Sequence, residues 1–503
     1  MTVGGYVLQA LQSLCTVQGI IFVVLGTMAG IVLGAIPGLG SSTIMVVLLP
    51  IAYKMSAPMG MALFLSIVIG GMSGGCIGSI LLGIPGTSSS LCTVWDGYEF
   101  TKKGDPVRAL SAAVTANFFG TVPSLILAIF ACKAIAKWAI GLGPWEYAAL
   151  CYCAILMVVG LSKGSMIKSL IGVGIAIFLA SVGADPLTAK GRFIFGGNLN
   201  FLGGFNLIPI MLGLFASKII MLEYARGDKQ NAVDIKVGKF RPPVADFMHN
   251  KLSFIRSWII GVVIGFLPGL GGPVASVMAY STENMLAKDK STWGHGEIAG
   301  VISCETANNA AIGGALIPLI ALGIPGDAAC VQFITALQIK GIEVGPMLMR
   351  EHPEVVYMIF VAAILSGIVS LLYETVGMPT FPALLKIPYH YLYSMVIILA
   401  LTGAYMATSS FFGVLVALGS CILGVVMDLA NIPSLPFLMT FILSPMLELN
   451  LRRAFSYSLI GPQEFFVRPF SCFFIVAGTL VLIYGFTAPV IKAKRASRKA
   501  AKN

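Results

Sequence analysis

The stretch "GAIPGLGSST", Gly34 to Thr43, breaks a hydrophobic run with a proline, three glycines and then three hydroxyls. It is preceded by "VVLGTMAGIVL" and followed by "IMVVLLPIA". A lipid-facing helix gains nothing from Pro37, which removes an N–H and clashes with the preceding turn. Its glycines permit the backbone conformations that such a break needs. A solvated turn would not sit between two such apolar flanks. In lipid, broken backbone is tolerated only where protein buries it or where it lines a watery cavity.

Composition places the chain in its class. Of 503 residues 57% are hydrophobic and only 11% charged, against about 25% charged in soluble domains. Mean hydropathy is +0.92. Apolar runs such as "SLIGVGIAIFLASVG", "MIFVAAILSGIVSLL" and "SFFGVLVALGSCILGVVM" recur along the chain, as spanning helices do. The expected fold is an all-α polytopic membrane protein with about 12 spanning or re-entrant segments. The first apolar run lacks a basic n-region and a small-residue cleavage site, so it reads as a retained helix.

A net charge of +11 would suggest nucleic acid in a soluble protein. Here the basic residues gather in a linker that holds Arg226, Lys229, Lys236, Lys239, Arg241, Lys251 and Arg256, and in the tail "IKAKRASRKAAKN". Short basic loops mark the cytoplasmic side and can touch anionic lipid. The partner implied is the bilayer, and no nucleic acid is expected. Ten scattered cysteines and four distant histidines give no disulfide or metal framework.

The interruptions repeat. "GAIPGLG" (34–40) is matched by "GFLPGLG" (265–271), and "LLGIPG" (81–86) by "ALGIPG" (321–326). The motif prolines are 48 residues apart in the first half, Pro37 to Pro85, and 57 in the second, Pro268 to Pro325. A polar insertion near "AKDKSTWGHGE" accounts for the difference, and Pro106 and Pro346 follow at equal offsets. This order implies a duplication: residues 1–225 as membrane repeat 1, 226–250 as a basic cytoplasmic linker, 251–465 as membrane repeat 2, inverted relative to the first, and 466–503 as a final transmembrane helix with a basic cytoplasmic tail. Interrupted hydrophobic segments at matching places in two halves point to a transporter's site near mid-membrane. The plain alternative is a kink or tight helix packing.

Each break has chemistry beside it. "PGLG" leads into Ser41, Ser42 and Thr43, and "GIPG" into Thr87, Ser88, Ser89 and Ser90. A half-helix that starts there has free N–H groups and a partial positive charge. With the hydroxyls, such an end can bind an anion; simple N-capping is the alternative. Pro37, Gly38, Gly40, Ser41, Ser42, Thr43, Gly86, Thr87, Ser88 and Ser89 are therefore candidate substrate-binding residues. In the second half, bare backbone and Asp327 replace the hydroxyls, and "VISCETANNAAIGG" places Glu305, Asn308 and Asn309 among small residues. An acidic residue at the centre of a spanning helix costs roughly 2.5–3.5 kcal/mol on insertion scales, so one found there has a job. Asn308 and Asn309 join the substrate candidates. Asp327 and Glu305, with the backbone of Gly269, Gly271 and Gly326, are candidates to hold a coupling cation, sodium or a proton. A helix–helix hydrogen bond or an Asp327 N-cap is the alternative. The stretch "VWDGYEFTKKGDP" (94–106) reads as a solvated loop with Trp95 and Tyr98 at the membrane interface.

The paired "GAIPGLG…LLGIPG" and "GFLPGLGG…ALGIPGD", in that order and over nearly the whole chain, resemble the large membrane subunit of the tripartite tricarboxylate transporters, the TctA family. The resemblance implies a bacterial inner-membrane importer of carboxylates, citrate-like tricarboxylates among them. It implies an ion gradient as the energy source and no other cofactor. It also implies two partners, a small membrane subunit and a periplasmic solute-binding protein. The chain has no phosphate-binding G-x-x-x-x-G-K-[ST] loop. A stand-alone carboxylate carrier is the competing reading within transport, and an ion channel is a third. An intramembrane enzyme would need a nucleophile with a base or a metal set, and no histidine lies near Asp327 or the motif serines in the sequence.

Overall fold

In a membrane interior every backbone group must be satisfied within its own segment, so a chain of this hydropathy folds as helices. The computed structural model describes residues 3–36, 45, 48, 55–162, 165–185, 187–217, 221, 235–338, 340–385, 389–458 and 460–500. Among them, seven helices are long and apolar enough to cross a membrane, and four shorter apolar helices accompany them. The only strands among the described residues are a two-residue antiparallel pair, Gly183–Ala184 with Gly191–Arg192. The chain is thus an all-α, multi-pass membrane protein.

Two compact units divide it. One contains Met1–Ala139 and Phe215–Met406, the other Ile140–Leu214 and Ala407–Asn503. Each sequence half therefore gives residues to both units.

The first unit contains helices α1 (Val3–Leu14), α2 (Val17–Gly34), α3 (Ala57–Leu82), α4 (Leu91–Lys102) and α5 (Pro106–Ala139). It continues with α6 (Lys251–Phe266), α7 (Gly271–Leu286), α8 (Ile298–Leu322), α9 (Ala328–Gln338) and α10 (Pro353–Gly377). Helix α8 is at its centre, buried along its whole length and packed on α5, α6 and α7. It is not among the seven span-like helices, because Glu305, Asn308 and Asn309 interrupt its apolar run. Helix α3 packs on α2 and α10.

Lipid tails are as apolar as leucine, so helices associate by close packing of small residues and not by the hydrophobic effect. Helices α2 and α3 meet in this way. A Cβ on Gly30 would strike the Ile67 carbonyl, one on Gly34 the Gly71 backbone, and one on Gly74 the Ile31 backbone. Helices α6 and α8 repeat the contact: a Cβ on Gly261 or Gly265 would strike the backbone of Ala307 or Ala311. The breaks match as well. Helix α3 ends at Gly83 with φ 70 and ψ 16, and α8 ends at Gly323 with φ 75 and ψ 16. This left-handed C-cap suits glycine, which has no Cβ to clash. Gly86 then lies against the Gly34 carbonyl and Gly75, and Gly326 against the Gly265 carbonyl and Ala315. The two motif pairs fold the same way locally.

The second unit holds Pro144–Leu161 and Met166–Ala180 with Phe411–Leu429, Ser434–Tyr457 and the terminal helix Pro469–Ala500. The basic tail is thus helical as far as residue 500. Arg452 and Arg192 share the carboxylates of Asp185 and Glu448, with N–O distances of 2.5–3.6 Å. Asp185 also accepts the N–H groups of Leu187 and Thr188. Those backbone bonds lead, followed by the Arg452 charge, in holding its carboxyl down at about 2.

Candidate functional site

Pro37, Gly38, Gly40, Ser41, Ser42 and Thr43 lie outside the described residues. The second motif is described in full. After Gly86, Thr87 and Ser90 close a capping box: the Thr87 N–H donates to Ser90 Oγ at 3.2 Å, and Ser90 Oγ donates to the Thr87 carbonyl at 3.0 Å. Ser88–Ser90 forms one turn of 3-10 helix before α4, with Ser88 exposed. Ser89 is buried, and among the described residues its hydroxyl makes no hydrogen bond.

Ser89 meets the second half at Gly272. A Cβ built there would stand 2.9 Å from Ser89 Oγ and 3.0 Å from Met72 Cε, and would also overlap Asn308 Oδ1. Asn308 is fully buried, and among the described residues neither end of its amide makes a hydrogen bond of good geometry, although Glu305 lies within reach. A buried amide left unpaired costs about 1–3 kcal/mol, so this position is held against a penalty. The structure thus joins one hydroxyl of the first half, one amide of the second and a bare stretch of backbone.

The two breaks of the second half touch. The Gly269 N–H donates to the Gly326 carbonyl at 2.8 Å, and Gly271, at φ +55, lies against the Asp327 side chain. Asp327 Oδ1 accepts the Cys330 N–H at 2.8 Å, which caps the start of α9.

Asn309, the neighbour of Asn308, is fully engaged. Its Nδ2 donates to Asn117 Oδ1 at 2.6 Å and to the Glu305 carbonyl at 3.1 Å, and its Oδ1 accepts from Thr121 at 3.2 Å. Glu305 is fully buried, and its Oε1 accepts from Thr93. A second acid, Glu374 on α10, is 1% exposed, and its Oε2 accepts from Ser73 at 2.8 Å. Among the described residues no Lys, Arg or His is buried, and no three His, Cys, Asp or Glu side chains converge as a metal site. The sequence reading missed Glu374, Asn117, Ser73 and Thr93. The signal for Glu374 was present in "SLLYETVG", an acid in an apolar run like Glu305.

The stretch 94–106 corrects an expectation. It begins within helix α4, and Asp96 is fully buried. Its Oδ1 accepts the N–H groups of Gly294, Gly296 and Glu297 at 2.8–2.9 Å, and its Oδ2 the Tyr280 hydroxyl at 2.9 Å. The loop that lengthens the second half is thus clasped by an acid of the first.

Buried polar groups at helix breaks inside a multi-pass helical protein are the arrangement in which membrane transport proteins build their sites. Residues 20–439 match the model of the tripartite tricarboxylate transporter TctA family, and the chain belongs to that family. It is 31% identical over 486 residues to an uncharacterized 52.8 kDa protein of the TAR-I ttuC' 3' region of Agrobacterium vitis, covering 96% of both chains. A second Agrobacterium vitis protein, uncharacterized and from the TAR-II ttuC' 3' region, is 32% identical over 235 residues, 47% of this chain and 97% of its own. No solved structure matches.

Proposed function

We propose that the chain is the large permease subunit of an ion-coupled importer of organic carboxylates, citrate-like tricarboxylates among them. It works in the bacterial inner membrane with a small membrane subunit and a periplasmic solute-binding protein. The observation that carries this reading is the meeting of Ser89, Asn308 and Gly272. An unpaired amide, an unbonded hydroxyl and the start of α7 suit a carboxylate, which accepts hydrogen bonds and gains from a helix N-terminus. Ser41, Ser42 and Thr43, after the matching break, are the further donors this reading assigns. The family membership and the matched geometry of Gly83–Gly86 and Gly323–Gly326 support two related halves around one site. Asp327 is a candidate for a sodium or proton site, and Glu305 for a proton site.

The test is uptake of labelled citrate into proteoliposomes that hold both membrane subunits. Uptake is expected only with the binding protein outside and an ion gradient across the membrane, and without ATP. Full uptake by this chain alone would establish the stand-alone carrier instead.

A further inference from the structure

Glu305 and Glu374 are on different helices, α8 and α10, and are joined by two side chains. Glu374 Oε2 accepts from Ser73 Oγ at 2.8 Å, and Ser73 Oγ accepts from Asn117 Nδ2 at 2.8 Å. The other end of that amide, Asn117 Oδ1, lies 2.9 Å from Glu305 Oε2. Two acceptors at that distance need a hydrogen between them.

Two arrangements supply it. The Asn117 amide can be turned over, so that its NH2 donates to Glu305 and its oxygen accepts from Ser73. That places the Asn117 NH2 against the Asn309 NH2 at 2.6 Å, two donors face to face. Turning Asn309 as well sets its oxygen 3.1 Å from the Glu305 carbonyl, two acceptors again. The arrangement as it stands leaves one acceptor pair as well, Asn117 Oδ1 at 3.2 Å from the Ala113 carbonyl, and a proton on Glu305 supplies the hydrogen at the shorter, 2.9 Å contact. Glu305 Oε2–H then donates to Asn117, Asn117 to Ser73 and Ser73 to Glu374, and every amide keeps its partner. With both amides reversed, the same chain runs backwards and the proton belongs on Glu374.

A second observation points the same way. Among the described residues, Glu374 Oε1 and the Ser370 hydroxyl one turn before it make no hydrogen bond of good geometry, although each lies within reach of the other. Ser370 is 4% exposed. Both residues line a small cavity with Ser73, Asn117, Thr121 and Asn309, with room for about one water. The titratable group that faces both acids is the Cys76 thiol, 3.8 Å from Asn117 Nδ2. Cys304 adjoins Glu305 in sequence. Asp96, one turn from Thr93, is satisfied by Tyr280 and three backbone N–H groups. No buried basic residue among the described ones offsets either carboxylate.

We infer that Glu305 and Glu374 form one proton-binding site, holding a single proton between them through Asn117 and Ser73. Its use in energy coupling rests on the importer reading. Asn308, one helical turn from Glu305, links it to the proposed substrate position.

Infrared titration of the full-length protein in lipid vesicles, without substrate, tests the site. The wild type is expected to show a buried carboxylic-acid C=O band at neutral pH and a second protonation step as pH falls, since coupled acids titrate as a pair. Glu305→Gln and Glu374→Gln should each remove one of these two steps, and the double variant both, while the remaining carboxylates, Asp327 among them, titrate as in the wild type. Asn117→Leu, which keeps both acids, should draw the two steps together. A wild-type spectrum with no carboxylic band at neutral pH overturns the proposal even if every variant fails to fold. So do single variants that keep both steps. Vesicles that take up no carboxylate would sink the importer reading and leave the infrared result standing.

Discussion

Ser89 and Asn308 approach one backbone position, Gly272, from two different helical segments. The contact joins the halves of the sequence at a point where one supplies a hydroxyl and the other an amide and open backbone. The neighbours that a Cβ on Gly272 would meet are Ser89 Oγ, Asn308 Oδ1 and Met72 Cε, the ends of side chains and not backbone. Gly272→Ala should therefore fold but displace the polar pair, giving normal expression with uptake sharply reduced. Gly265→Ala meets the Ala311 backbone and should overpack the α6–α8 contact, at a cost of about 1–3 kcal/mol. It should lower yield and melting temperature. Equal behaviour of the two variants would show that Gly272 serves packing alone.

If the pair holds a carboxylate, each lost hydrogen bond to the charged group is worth roughly 1.5–3 kcal/mol, or about 10- to 150-fold in affinity. Ser89→Ala and Asn308→Ala should raise the substrate concentration needed for half-maximal uptake by that factor. Thr87→Ala removes a capping-box partner of Ser90 and should cost about 1 kcal/mol of stability with unchanged affinity. Ser169, whose hydroxyl bonds the Ser165 carbonyl at 3.4 Å, is the control, and its alanine variant should be near neutral. Substrate titrations beside melting curves separate these outcomes. Ser89 behaving like Ser169 would remove it from the site.

The helical class and the matched glycine breaks were legible because proline and glycine act locally. The same motif produces the same left-handed cap at Gly83 and Gly323 wherever it stands. The hydroxyl run was legible only as a group. Which of its members caps and which faces Gly272 is decided by α7 and α8, more than 180 residues away in the chain. Glu374 was visible as an intramembrane acid, but its tie to Glu305 depends on Ser73 and Asn117 from two further helices. Asp96 looked solvated because three of its four partners are backbone N–H groups of the 294–297 loop, which leave no mark in a sequence, and the fourth, Tyr280, is distant in the chain.

Asp327 separates capping from ion binding. Asparagine caps a helix about as well as aspartate, so Asp327→Asn should keep the bond to the Cys330 N–H and the melting temperature. If the carboxylate also holds a coupling cation, that variant should raise the ion concentration needed for uptake, and through linkage weaken substrate binding. Asp327→Ala should lose the cap as well, about 1 kcal/mol. An asparagine variant with unchanged ion dependence would leave Asp327 as a cap only.

Asp185 carries a pH prediction for the second unit. Its folded carboxyl titrates near 2, below the value of about 3.9 expected in an unfolded chain. A depressed folded value means that the unfolded state binds the proton first, so the contribution is complete above about pH 4. It is lost as pH falls from there towards about 2. Melting temperatures between pH 5 and pH 2 should fall less steeply in Asp185→Asn than in the wild type. Parallel curves would show that the Arg192–Glu448–Arg452 ion pairs hold this region without Asp185.

The last prediction concerns orientation. Lys and Arg in short loops favour the cytoplasmic side, and two segments concentrate them: the linker with the start of α6, Arg226 to Arg256, which holds seven, and the tail from Lys492 to Lys502, which holds six, of the 32 in the chain. Both should be cytoplasmic, and the N-terminus, with no Lys or Arg before Lys54, should be outside. The first half then crosses an odd number of times. The second half starts inside and ends outside, and the final helix Pro469–Ala500 returns the chain to the cytoplasm. Such a count makes the two halves inverted copies, with Gly83 and Gly323 ending their helices towards opposite faces. Reporter fusions after residue 235 and at the C-terminus should both report the cytoplasm. Fusions that report opposite sides would refute the inverted arrangement.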